Sequence, residues 1–135
     1  MTTTPPLTDA TRAHLRELSQ RLLQLHKVLL DLQRAEYNSD HVPPSSGTEL
    51  LNLVLNDPAF AWLRTLSALI VQIDDLIGVD PVATEADGLA LRDKAHGLLR
   101  PTGQPPSDFT LRYQAALQSS PDAVVAHAAV LALFP

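Results

Sequence analysis

Between residues 15 and 32 leucine recurs at alternating steps of three and four: Leu15, Leu18, Leu22, Leu25, Leu29 and Leu32. That spacing keeps one side of an α-helix apolar and predicts a seam facing other helices. Thr8 is placed to cap this helix, which is expected to run to about Asn38. Glu17 and Arg21 make an i,i+4 pair on its outer side. The next stretch, HVPPSSG at 41–47, holds two prolines and a glycine and predicts a loop. Thr48 then opens a short helix, ELLNLVLN, over 49–56.

Asp57 followed by Pro58 predicts a helix start, an N-cap and then proline in the first turn. The helix is expected to run to about Ile77 and to stop at Gly78. It is apolar around most of its circumference and so reads as central. Asp80 and Pro81 repeat the start signal for a helix to about Leu99, interrupted by Gly88 and Gly97, with a stripe of Leu91, Ala95, Leu98 and Leu99. A second loop, PTGQPPS, occupies 101–107. Ser107 or Asp108 caps a helix with Phe109, Tyr113, Ala116 and Leu117 on one side. Ser120 and Pro121 begin a last helix to about Leu133. No segment alternates apolar and polar as a half-buried strand does. The expected fold is all-α: a mostly antiparallel helical bundle of four long helices plus short additional ones. It forms one domain over 8–135, after a flexible tail over 1–7.

The stretch YQAALQSSPDAVVAHAAVLALF resembles the junction between two tetratricopeptide repeats, through Tyr113, Ala116, Leu117, Pro121, Ala126 and Ala129. The resemblance covers one junction. No second copy follows a 34-residue period, and a repeat array needs about three units. The plain reading of the stretch is an antiparallel helical hairpin.

Composition narrows the partners. The chain has 135 residues and a net charge of −5. Residues 1–40 balance acid and base, so the excess acid lies beyond them. That argues against general nucleic-acid binding, which relies on neutralising phosphates. There is no cysteine, which removes disulfides, thiolate metal sites and cysteine nucleophiles. MTTTPPL lacks the basic start and apolar core of a secretory signal. The most apolar late window, residues 123–134, is shorter than the roughly 20 residues that cross a bilayer. A cytoplasmic protein with no membrane insertion is expected.

A few polar residues stand where apolar ones are favoured. On the central helix Asp75 turns toward water, while Asp74 falls beside the stripe of Leu63, Leu66, Ile70, Ile73 and Ile77. Asp74 is therefore expected to be at least half buried and to need a partner. On the first helix His26, Gln33 and Glu36 lie on or beside the seam, with Tyr37 slightly further round. Antiparallel packing predicts two cross-links, Glu36–Arg64 and His26–Asp74. Such pairs fix helix register. The alternative is a small-molecule or metal site built from His26, Glu36, Tyr37, Arg64 and Asp74.

No metal, cofactor or catalytic residue is assigned. Asp93-x-x-His96 occurs once, and a carboxylate-bridged di-metal bundle uses such a motif twice. His14 and His41 lack ligand spacing, and His127 reads as a satisfied core or boundary residue. There is no nucleophile elbow or phosphate loop. A second strip on the first helix, Leu23, Leu30 and Tyr37, is flanked by Arg12, Arg16 and Arg34. If other helices leave it bare, it is a surface for dimerisation or a partner. The expected role is a small interaction or accessory protein, self-associating as a homodimer or binding another protein.

Overall fold

A computed structural model describes residues 5–78, 82–100 and 105–135. Among them are six α-helices: α1 (Asp9–Asp40), α2 (Gly47–Asn56), α3 (Leu63–Gly78), α4 (Glu85–Leu99), α5 (Asp108–Ser119) and α6 (Pro121–Leu131). A short 3-10 turn, Pro58–Phe60, precedes α3. The fold is all-α. At 32 residues α1 is twice the length of α3, which has 16, and α3, α4 and α6 pack along it.

Capping explains most boundaries. The Thr8 hydroxyl accepts from the Thr11 amide at 3.1 Å, Ser107 from Thr110 at 3.1 Å, and Ser120 from Ala123 at 3.2 Å. Each such bond satisfies an otherwise orphaned helix donor and contributes about 1 kcal/mol. Three starts differ from the sequence expectation: α2 begins at Gly47 under the cap of Ser46, which accepts from the Glu49 amide at 3.1 Å, rather than at Thr48. Asp57 does accept from the Ala59 amide at 2.8 Å, but Pro58 opens the 3-10 turn and the α-helix begins only at Leu63. For α4 the cap is Thr84, in a reciprocal capping box with Asp87. Asp80 and Pro81, the expected start, lie outside the described residues.

The core is the leucine seam of α1 against α3. Leu15, Leu18, Leu22, Leu25 and Leu29 have no solvent exposure, and they pack with Leu63, Leu66, Leu69, Ile70, Ile73 and Leu76. Three contacts set the direction. Arg12 donates to the Ile77 carbonyl, Ser19 to Asp74, and Gln33 accepts from Trp62. Ascending α1 therefore descends α3, and the two are antiparallel. The other side of α1 meets α6, also antiparallel: His14 lies beside Phe134, and Arg21 donates to the Ala129 carbonyl at 2.7 Å.

Residues expected to lie in a flexible tail are tied down at their described end. Leu7 donates to the Ala83 carbonyl at 3.2 Å, and Glu85 donates to the Pro5 carbonyl at 3.0 Å. The Glu85 carboxylate accepts from the Thr8 amide at 3.0 Å and the Thr11 hydroxyl at 2.6 Å. These bonds, the Thr11 hydroxyl first, hold its pKa below the usual carboxylate value. One turn on, a Cβ at Gly88 would stand 2.7 Å from Leu7 Cδ1 and 3.0 Å from Thr11 Cγ2. The glycine that weakens α4 in isolation thus lets it lie close against α1.

Candidate functional site

The polar residues singled out along α1 and α3 are not gathered at one point. Asp74 is exposed rather than half buried, and its partner is the buried Ser19, whose hydroxyl lies 2.5 Å from Oδ1. His26 stands seven residues further along α1 than Ser19, about 10 Å by helical rise. It is half-buried with no hydrogen-bond partner among the described residues. Its pKa is lowered from the usual 6.5 by burial. Arg64 does not meet Glu36; it donates to the Leu55 carbonyl at the end of α2, where a cation suits the helix dipole. Glu36 is exposed, and Tyr37 stacks on His41 at 4.2 Å and touches Phe60 at 5.8 Å.

The physical reason is a slip of one heptad. A seven-residue shift carries the leucine seam of α1 onto itself, so burial is nearly the same in both registers. What distinguishes them is polar. In the observed register the Trp62 indole donates to Gln33 at 2.9 Å in the buried core, and Ser19 meets Asp74. Leu69 and Leu76 also join the buried arc of α3. This rotates its centre away from Asp74 by about 30° and leaves that carboxylate at the edge.

The expected interaction strip is partly covered. Leu30 and Tyr37 pack against the core, while Leu23 is 55 % exposed. Of its flanking cations, Arg12 is engaged with the Ile77 carbonyl, Arg34 sits 3.9 Å from Asp31, and Arg16 is exposed.

A different cluster is assembled at the α5–α6 hairpin. The Tyr113 hydroxyl lies 2.6 Å from His127 Nδ1. Both residues stand seven positions from Ser120, one before it and one after, which places them level across an antiparallel pair. Burial pushes the Tyr113 phenol well above its usual value of 10. Burial, then the charge of Arg100, lowers His127 below 6.5. Both are therefore neutral at pH 7. The two share one hydrogen bond, whose direction follows the tautomer of the imidazole. Beside the pair a cavity of about 300 Å³ opens between the end of α4 and the hairpin. Arg100, Thr110 and Gln114 give it polar groups, and Leu98, Leu99 and Leu117 give it apolar walls.

A second cleft of about 410 Å³ lies between α1 and α5, with Gln33, Glu36, Trp62 and Arg112 among its walls. Its charges are mixed, and Arg112 is already held 3.2 Å from Asp108. Among the described residues no group of three or more His, Asp or Glu side chains is placed to hold a metal ion. No helix among them is long and apolar enough to cross a membrane. Comparison with protein-family models, with curated proteins and with solved structures finds no match to this chain.

Proposed function

We propose that this chain is a small cytoplasmic interaction protein that self-associates through α2. The observation that carries the reading is the state of that helix. Five of its ten residues are Leu or Val, yet none of the ten is buried. Leu51 and Leu55, one turn apart on one face, are 59 % and 56 % exposed. A ten-residue helix is too short to persist in water on propensity alone, so it needs packing on an apolar face. In the single chain α2 rests mainly on the Pro58–Phe60 turn. A second copy, meeting it about a two-fold axis, supplies the missing surface symmetrically. Each leucine so covered contributes roughly 1.5–3 kcal/mol at full burial.

Sedimentation velocity over a range of concentrations tests the reading. The wild-type chain is expected to shift from monomer to dimer with concentration, and the double variant Leu51→Glu, Leu55→Glu to remain monomeric. A wild-type chain that stays monomeric at about 100 μM, well above the micromolar range of modest interfaces, overturns the reading. A dimer that survives both substitutions moves the interface elsewhere.

A further inference from the structure

The cavity beside Tyr113 and His127 has a lining that selects for a particular chemistry. Among the described residues its one charged wall is Arg100, the C-cap of α4. Arg21, Lys27, Arg34, Arg92 and Arg112 each lie within 3.0–3.9 Å of a carboxylate. Among the described residues Arg100 has no such partner, and none of those lining the cavity is an acid. A guanidinium at the mouth of an apolar pocket is a ready receptor for a carboxylate, which it can hold bidentately.

The remaining polar groups are suited to the same oxygen atoms. His127 Nδ1 is engaged with Tyr113, so Nε2 is the ring nitrogen left for a ligand. Gln114 is exposed and its amide has no partner among the described residues. Across from them Leu98, Leu99 and Leu117 offer aliphatic surface. A free inorganic anion would leave those leucines uncovered. A neutral apolar molecule would leave the guanidinium without a counter-charge. At about 300 Å³ the space is at the low end for small-molecule pockets.

We infer that this cavity binds a small organic monoanion, an aliphatic carboxylate of about ten non-hydrogen atoms in all, with Arg100 and His127 on the carboxylate and Leu98, Leu99 and Leu117 on the aliphatic body. The site is on the hairpin and α4, separate from α2, so it does not depend on self-association.

Octanoate is the probe, with 1-octanol as its uncharged counterpart. Isothermal titration calorimetry is expected to give one saturable octanoate site per chain. Arg100→Gln, an exposed substitution that leaves the fold intact, should weaken binding at least tenfold. 1-Octanol should bind the wild type at least tenfold more weakly than octanoate. In an NMR titration the ring of His127 should gain a higher pKa when octanoate is present, because a bound carboxylate favours the imidazolium. No saturable binding at millimolar octanoate overturns the inference. So does affinity unchanged by Arg100→Gln, equal affinity for 1-octanol, or a His127 titration indifferent to octanoate.

Discussion

Ser19 and Asp74 meet at 2.5 Å across the α1–α3 interface, a buried hydroxyl on one helix and an exposed carboxylate on the other. The pair marks one of two registers that the leucine seam would otherwise accept. Ser19→Ala is expected to lower stability by about 1 kcal/mol, the low end for a hydrogen bond to a charged group because Asp74 is open to solvent. Asp74→Asn, which keeps an acceptor, should cost less. Urea unfolding checks both. A midpoint unchanged by Ser19→Ala would remove this bond from the forces that set the register.

Gln33 and Trp62 are the second register mark, and they are buried. Gln33→Leu strands the indole N–H without an acceptor and is expected to cost about 1–3 kcal/mol. Combining it with Trp62→Phe removes donor and acceptor together, so the double variant should lose less than the two single losses added. The chain has one tryptophan, so fluorescence follows the environment of this site directly in the Gln33→Leu variant. Strict additivity in the cycle would mean that the two side chains act independently.

Gly88 sits under the side chains of Leu7, Thr11 and Leu15. Gly88→Val brings a β-branched side chain into space already filled, and should destabilise by about 1–3 kcal/mol despite improving helix propensity. Gly97 has open space where a Cβ would stand, so Gly97→Ala is expected to be neutral or to stabilise by up to about 1 kcal/mol. Thermal melts of the two variants should move in different directions. Equal shifts would show that α4 does not pack closely on α1 at Gly88.

His26 and His127 both have folded pKa values below 6.5. In the interval between the folded and unfolded values the unfolded chain holds more protons. Stability then rises with pH. It is fully present above about pH 6.5 and lost as pH falls through the folded values. Denaturant midpoints should therefore drop on acidification below that point. The His26→Gln, His127→Gln double variant should flatten this part of the profile. Glu49 and Glu85, held below 4.5 by hydrogen bonds from Ser45 and from Thr11 and Thr8, add a further decline at more acid pH that the double variant keeps. An unflattened profile between pH 7 and 5 would assign the acid sensitivity to other groups.

The helices were legible wherever a cap and a period agreed. Thr8, Ser107 and Ser120 mark true starts, and the α1 seam is buried at every leucine from Leu15 to Leu29. Asp57–Pro58 misled because the same dipeptide starts a 3-10 turn as readily as an α-helix, and the choice depends on how Phe60 and Trp62 enter the core. The cross-links between α1 and α3 were hidden by the heptad itself, since a pattern that repeats every seven residues does not state its own offset. The Tyr113–His127 pair did carry a signal. The two residues are equidistant from the Ser120–Pro121 turn, and a hairpin sets equidistant residues opposite each other. The apolar state of α2 was readable as composition, but that Leu53 and Val54 reach the core while Leu51 and Leu55 stay exposed depends on where the Pro58–Phe60 turn directs the helix.

The order in which the fold can close follows from the position of α1. Its seam is covered by α3 on one side and α6 on the other, and the bond from Arg21 to Ala129 joins residues 108 apart. Such distant pairing is slow, because the loop must be closed before its contacts form. During synthesis α1, the longest of the described helices, emerges before the other five, with one flank bare until α6 arrives. A nascent chain halted before residue 121 would present that flank to whatever hydrophobic surface it met.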